Sequence, residues 1–176
     1  MPMHFNSFLD AAGIESHDVR LLRHKDRRST KGRSVYELWL HHRSLFEDYQ
    51  STQSFDNVSN LDSRYWASFV ATESGDTVFV GLYEVQSVVT LKFDMPSPNI
   101  EGKVEEAGSC NHYKLAIDTR FQDLDGELVI EWGLGKKRWI QRADKQNKVV
   151  TGIHSSLKKP VFPAFRDLVS RFRKNQ

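Results

Sequence analysis

Three stretches of the chain carry apolar residues at helical spacing. The clearest follows Ser34, where Ser-Val-Tyr-Glu matches the S-x-x-E capping box of a helix N-terminus. Apolar side chains then recur every three or four positions, which predicts a helix over residues 35–49 with its apolar face on a sheet. A short helix is expected near the start, capped by Asn6 or Ser7 and ended by Gly13. A last amphipathic helix is expected within residues 160–174.

Short runs rich in β-branched and aromatic residues predict the strands. Residues 65–71 and 77–90 read as a β-hairpin with Gly75 in its turn, and both faces of it are apolar, as in a covered sheet. Gly81 inside the second strand indicates a bulge or a close backbone approach. Five more runs complete the set, and the last two look like a final pair: residues 19–23, 112–117, 127–132, 138–142 and 148–153. We therefore predict one α+β domain over residues 1–176, a small bent sheet or open β-barrel of the PUA-like or EVE-like kind with flanking helices.

Length and composition exclude several classes of protein. A chain of 176 residues with 39% hydrophobic and 27% charged residues can build one folded domain, which excludes wholesale disorder. No apolar run approaches the ~20 residues of a membrane-spanning helix, and the first residues lack a signal-peptide pattern. The single Cys110 excludes an internal disulfide. We expect a cytoplasmic protein without a membrane partner.

The net charge is only +2, but the charges are segregated along the chain. Basic residues gather in three segments, 20–33, 136–148 and 158–174, while acids gather elsewhere. Such segregation can present a basic face to a polyanion such as DNA, although a basic run is equally typical of a solvated loop. The candidate phosphate-binding residues are Lys25, Arg27, Arg28, Lys31, Arg33, Lys136, Lys137, Arg138 and Arg142.

Aromatic and amide side chains lie beside these basic segments in the sequence. Aromatic rings stack on bases, amides read base edges, and basic residues hold phosphates. The candidate base-pocket residues from this pattern are Trp39, Tyr49, Gln50, Ser51, Gln53 and Trp66. Two alternatives stay open: the tryptophans are core residues, and Gln50 and Gln53 only satisfy helix-terminal carbonyls. In that case the pocket is expected around Trp132 and Trp139.

Motifs for catalysis and for cofactors are weak or absent. Glu101-Gly102-Lys103 with Asp94 upstream could serve a metal-dependent nuclease, but the triplet falls in a proline-flanked acidic stretch rather than on an apolar strand. The histidines are scattered, and the chain carries no P-loop, G-x-S-x-G or G-x-G-x-x-G pattern. We expect no metal and no cofactor, and a binding function rather than an enzyme.

Longer composite patterns resemble a known family. The runs VRLLRHKD, YELWLHHRSLFEDYQSTQ, YWASFVATESGDTVFVGLYEV, LVIEWG and RWIQRADKQNKVVTGI look like the N-terminal region of certain bacterial GIY-YIG nuclease family proteins. In that family the nuclease domain follows this region, and no GIY…YIG pair occurs here. The resemblance implies the recognition half of a restriction-type system, with a nuclease domain or subunit as a partner.

A second resemblance concerns the fold. The order of LLRHKD, a W…YQ helix region and a G-D-x-V-F-V-G-L-Y-E-V hairpin is similar to EVE-type domains of the PUA-like superfamily. Those small barrels read nucleic acid, often by flipping a modified base into an aromatic cage. The resemblance adds Arg23, His24 and Ser68 to the base pocket.

The leading hypothesis is therefore a non-catalytic DNA-binding module that flips and reads a modified base. The alternatives are a small metal-dependent nuclease using Asp94, Glu101 and Lys103, and a protein-interaction domain with a basic docking face.

Overall fold

The fold is mixed α+β, with a strongly curled, half-barrel sheet and a few flanking helices, as predicted. The computed structural model describes residues 2–25, 32–54, 58–93, 97–98, 104–105, 108–133 and 139–176. The α-helices in this part are α1 (Asn6–Ala11), α2 (Val35–His41), α3 (Arg43–Ser51) and α4 (Pro163–Lys174). The strands are β1 (Val19–His24), β2 (Thr52–Ser54), β3 (Tyr65–Ala71), β4 (Thr77–Phe93), β5 (Ser97–Pro98), β6 (Val104–Glu105), β7 (Gly108–Ile117), β8 (Leu128–Glu131), β9 (Ile140–Arg142) and β10 (Val149–Ile153). The described residues also form two 3₁₀ segments, Ser16–Asp18 and Thr119–Leu124.

The central sheet has the order β10-β8-β4-β3-β1-β9, and β7 pairs with both β4 and β2. β5 and β6 form a separate two-stranded sheet. The predicted β3–β4 hairpin is confirmed, with Gly75 at a φ of 89° in its turn. β1 and β3 run parallel, with Leu22 opposite Ser68, and α2 and α3 lie between them in the sequence. Parallel neighbours need such a crossover, so this pairing places α2 and α3 over one face of the sheet.

Side-chain alternation divides the core between the two faces of the sheet. On one face, Phe69 of β3 packs with α1 and α4 in the largest cluster of buried residues. On the other face, Val70 packs with α2 and α3 through Trp39 and Phe46. We call these the α4 face and the α3 face. All seven residues of β3 are buried, because helices cover both sides, as the apolar pattern indicated.

The bulge predicted at Gly81 is confirmed, and it changes which side chains reach the α3 face. Ser68 pairs with Gly81 and Phe69 with Phe79, so Val80 is the extra residue of β4. The extra residue shifts the alternation by one position, and Tyr83 comes to lie beside side chains of α3. Gly81 has a φ of 148°, and a Cβ there would lie 3.0 Å from a Tyr83 ring carbon. Glycine therefore meets both the backbone and the packing requirement at this bulge.

The prediction of one continuous helix over residues 35–49 was wrong. The capping box is present, since Ser34 accepts from the Glu37 amide and Glu37 accepts from the Ser34 amide. However, α2 ends at His41, and α3 starts at Arg43. His42 between them has a φ of −139° and a ψ of 59°, which are not helical. Leu45, one of the apolar positions at helical spacing in residues 35–49, is exposed.

Two further expectations need correction. No side chain caps α1, whose N-cap is Phe5 rather than Asn6 or Ser7, although Gly13 follows the helix at a φ of 71° as expected. β9 and β10 do not pair with each other: β9 pairs with β1, and β10 pairs with β8. The pairing of β9 with β1 matters for the site described below, because it brings two distant chain segments to one edge of the sheet.

Candidate functional site

Four of the predicted pocket residues meet where β1 ends beneath α3. His24 comes from β1, Tyr49 and Gln50 from α3, and Ser68 from β3. The His24 ring lies 5.4 Å from the Tyr49 ring, and its Nε2 lies 3.2 Å from Oε1 of Gln50. Trp139, just before β9, joins them with its ring 6.4 Å from His24. We call these five residues the junction cluster.

Gln50 is the hydrogen-bonding centre of the junction cluster. Its side chain is fully buried, and its Oε1 accepts a hydrogen bond from the Ser68 hydroxyl. The same oxygen accepts from His24 when that ring carries its proton on Nε2. Nε2 of Gln50 has no hydrogen-bond partner among the described residues. A buried amide donor without a partner is costly, so this atom marks a place where a polar ligand or water would be stabilised.

More unpartnered polar atoms lie next to Gln50. The Tyr83 hydroxyl is near the Gln50 amide, yet the two do not form a hydrogen bond of ordinary geometry. Burial raises the pKa of Tyr83, and Glu47 and Asp125 nearby raise it further, so the phenol is neutral. In the described part of the chain, the Trp39 indole nitrogen and Oδ1 of Asp125 are likewise buried without partners.

Asp125 is the unusual carboxyl of this region. Burial, with a smaller contribution from Asp123, raises the pKa of Asp125 to about 8, against the opposing effect of Arg43. The carboxyl is therefore mostly protonated at neutral pH and can donate as well as accept a hydrogen bond. The exposed Arg43 covers this region, with its guanidinium carbon 4.7 Å from the Trp39 ring centroid and its Nε 3.0 Å from the Trp39 carbonyl.

Sequence reasoning missed Tyr83, Asp125 and Arg43 as neighbours of the predicted pocket. The glycine in β4 pointed to the bulge, but only the pairing of β4 with β3 shows that the bulge turns Tyr83 towards α3. Gly126 gave a similar signal, because its backbone touches Trp39: a Cβ at Gly126 would lie 2.5 Å from that ring.

The structure places other predicted pocket residues elsewhere. Arg23 points to the α4 face, where its Nε donates to the Thr77 hydroxyl at 2.9 Å. Trp66 is fully buried beside Tyr113, and its indole donates to the Leu61 carbonyl at 3.1 Å. The structure therefore does not bring Arg23 or Trp66 into contact with Gln50.

The polar string after Tyr49 has a structural role at two positions. Gln53 is buried, and its Nε2 donates to the Gln50 carbonyl at 2.7 Å, which satisfies a helix-terminal acceptor. Ser51 is half-buried at the last position of α3. Thr52 and Gln53 continue into β2, which pairs with β7 and fixes the end of α3 against the sheet.

Two of the three basic segments contribute to the junction cluster. His24 and Lys25 lie within the first, residues 20–33, and Trp139 lies within the second, residues 136–148. The amide of Arg23 donates to the Trp139 carbonyl at 2.8 Å, and Leu22 pairs with Ile140 in the β1–β9 ladder. Because this ladder is antiparallel, the C-terminal end of β1 lies beside the N-terminal end of β9.

The candidate phosphate-binding residues are only partly described. Lys25 is exposed and Arg33 is half-buried. Arg142 lies opposite Arg20, away from the end of β1, and its guanidinium pairs with Asp144 at 2.8 Å. The hydrogen bond from Arg142 lowers the pKa of Asp144. The other predicted residues lie outside the described residues: Arg27, Arg28, Lys31, Lys136, Lys137 and Arg138.

The remaining chemistry of the chain is limited. No group of three or more metal-ligating side chains occurs within the described residues. Asp94, Glu101 and Lys103 lie outside that part of the chain. The described helices include none with the length and apolar character needed to cross a membrane. The junction cluster offers stacking surfaces and hydrogen-bonding groups, which suit recognition of a planar polar ligand.

Comparison of this chain with protein-family models, with curated proteins and with solved structures gives no significant match. The resemblances to the GIY-YIG nuclease family region and to EVE-type domains therefore stay predictions.

Proposed function

We propose that this protein is a non-catalytic DNA-binding module that reads a flipped base at the junction cluster. The observation that supports it most is the pairing of β1 with β9, which brings His24 of basic segment 20–33 and Trp139 of basic segment 136–148 into one aromatic and amide cluster. Basic segments can hold phosphates on either side of a base, and the cluster can stack on the base and bond to its edge. A cytoplasmic location and a nuclease partner belong to the same proposal.

The two halves of the site depend on each other energetically. Stacking on an aromatic ring contributes ~1–3 kcal/mol per base, while flipping a base costs a few kcal/mol. Stacking alone would therefore leave little net affinity, and phosphate contacts must supply the rest. Modification of the base, or a mismatch, lowers the flipping cost and gives selectivity.

The half-buried side chains suggest how a base would enter. Tyr49 and Trp139 are half-buried, and their rings lie 5.4 Å and 6.4 Å from the His24 ring. Gln50 and Tyr83 lie deeper and are buried. Outward movement of the Tyr49 ring would let a base enter, stack on that ring and reach the unpartnered Gln50 amide.

A binding panel tests this function. The intact chain is mixed with duplexes of one sequence that carry unmodified or modified bases, and affinities are measured by fluorescence anisotropy. We expect a preference for one modified duplex and a loss of ~1–3 kcal/mol of binding free energy in Tyr49→Ala. Tyr36→Ala is the matched control, because Tyr36 is also a half-buried helical tyrosine but packs on Trp39.

Equal affinities for all duplexes, unchanged in Tyr49→Ala, would contradict base reading. The same samples test the rival nuclease hypothesis: cleavage of DNA with Mg²⁺ that is lost in Glu101→Ala would support an enzyme instead.

A further inference from the structure

α4 and the segment before it form a groove that the proposed base site does not use. The groove has a volume of about 580 Å³. Lys158 and Lys159 line one wall, and α4 supplies the other. The charged residues on the α4 wall are Arg166, Asp167, Arg173 and Lys174. Val169 of α4 also lines the groove and is buried, so part of its lining is apolar.

Both arginines of the groove are held in place by backbone carbonyls. Nε of Arg166 donates to the Pro160 carbonyl at 2.8 Å. Nη2 of Arg173 donates to the Leu157 and His154 carbonyls at 2.5 Å and 3.2 Å. These bonds fix the guanidinium groups and tie α4 to the opposite wall, so less side-chain entropy is lost when an anion binds.

The groove carries a concentrated positive charge. Five cations and one carboxylate, Asp167, give it a net charge of +4. Among the described residues, none of the five cations forms an ion pair. Cations on facing walls of a concave surface reinforce one another's potential and attract a polyanion more strongly than a flat patch does.

The spacing of the cations suits a phosphodiester strand. Arg166 and Arg173 are seven residues apart on α4, or about 10.5 Å along the helix axis. One strand of B-form DNA carries ~3 phosphates over that distance. A membrane surface is flat, whereas Val169 is buried inside the concave groove; among the described residues, the exposed Val161 beside Arg166 is the single large apolar side chain exposed next to these cations.

The groove is remote from the junction cluster. α4 packs on one face of the sheet through Phe165, Leu168, Val169 and Phe172, whereas α3 packs on the other. Helices stacked on opposite faces of a sheet lie ~20 Å apart, since each layer adds ~10 Å. A duplex of one helical turn is ~34 Å long, so it is the placement of the two sites on opposite faces of the sheet, and not their distance, that keeps one straight duplex from contacting both.

We propose that the α4 groove is a second nucleic-acid backbone site, so that one chain can hold two separate DNA segments. This inference rests on the proposed DNA-binding function, and it adds bridging of two segments to base reading. Such bridging would let the module stay on DNA while its base site samples a neighbouring segment.

Binding stoichiometry with a short duplex of about one helical turn (~10 base pairs) tests the inference. Isothermal titration should give two duplexes per wild-type chain. Lys158→Glu with Lys159→Glu should leave one, and the salt dependence should then be that of the remaining site alone. Lys92→Glu with Lys114→Glu is the matched control, because both lysines are exposed on the β4–β7 pair, and it should keep two. Thermal midpoints check that all variants fold.

The remaining arms separate this inference from the proposed function. Arg27→Glu with Arg28→Glu should also leave one duplex, bound at the groove. If the wild type binds one duplex, which the groove variant loses and the Arg27 and Arg28 variant keeps, the junction proposal fails and the groove stands. Two duplexes still bound by the groove variant would overturn the groove. The inference would also fail if the groove variant kept its DNA binding but lost binding to tripolyphosphate, polyglutamate or phosphatidylserine vesicles, because the groove's partner would then not be a nucleic-acid backbone.

Discussion

The hydrogen bond between Ser68 and Gln50 allows a double-mutant cycle that separates recognition from core packing. Ser68→Ala removes a donor, but Oε1 of Gln50 keeps His24, so a cost of ~1 kcal/mol is expected. Gln50→Leu leaves the Ser68 hydroxyl and the His24 ring without their acceptor, at ~1–3 kcal/mol each. The same change removes the unpartnered Nε2 of Gln50, which offsets one such cost. The net cost of Gln50→Leu is therefore ~1–3 kcal/mol.

The double variant should cost less than the sum of the single variants. Ser68→Ala removes the very hydroxyl that Gln50→Leu leaves unsatisfied, and replacing both partners by apolar groups is nearly neutral. We expect a coupling energy of ~1–2 kcal/mol, measured by urea denaturation. In a chain of this size each kcal/mol shifts the thermal midpoint by ~2–4 °C, so the rescue should also be visible on heating.

DNA binding provides the second measurement on the same variants. If the Gln50 amide reads a base edge, the double variant folds well but binds the preferred duplex ~10-fold or more weakly, as ~1.4 kcal/mol of lost recognition requires. Ser68→Ala, which keeps the amide, should lose less. A double variant that regains both stability and full affinity would refute the reasoning, because Gln50 would then be a core residue with no part in recognition.

Three further predictions concern the surroundings of the junction cluster. Gly126→Ala places a Cβ 2.5 Å from Trp39 at a φ of +76°. It should lower the free energy of unfolding, measured in urea, by ~1–3 kcal/mol more than Gly75→Ala, where φ is +89° and no atom lies within 4 Å of the added Cβ. Equal losses in the two variants would disprove the Trp39 contact. Asp125 has a folded-state pKa of about 8 against an ordinary 3.8, so between these pH values the folded chain keeps a proton that the unfolded chain releases. The free energy of unfolding should therefore fall as pH rises from about 4 to 8, and Asp125→Asn should make this fall smaller. The same pH dependence in both proteins would argue against the buried carboxyl. Gln53→Ala leaves the Gln50 carbonyl without its donor and should lower stability by ~1–3 kcal/mol; an unchanged thermal midpoint would show that water replaces the bond.

Local signals in the sequence were sufficient for much of the fold. The capping box at Ser34 and Glu37, the turn at Gly75 and the bulge at Gly81 each depend on a few neighbouring residues, and each is confirmed. The break at His42 was missed because periodicity reports which side of a helix is apolar and not whether φ and ψ stay helical. β1 and β9 lie more than a hundred residues apart, so no local pattern could indicate their pairing.

In the candidate site, too, local sequence signals indicated some residues, while contacts between distant segments could not be predicted. Tyr49 and Gln50 stood out because polar groups at a helix end need partners, and the structure supplies His24 and Ser68 from distant strands. Trp66 was predicted as a stacking residue from its residue type, yet it is fully buried in the core. Residue type alone does not distinguish the two environments, since tryptophan serves both as core and as a stacking surface.

The salt dependence of DNA binding tests the central claim most directly. The affinity of the intact chain for a duplex is measured over a range of salt concentrations, and log K is plotted against log salt. If the basic segments beside the junction cluster neutralise ~4 phosphates, the slope should be near −3 to −4 and should become shallower in Arg27→Glu with Arg28→Glu. A slope near zero, or no binding at low salt, would contradict the account.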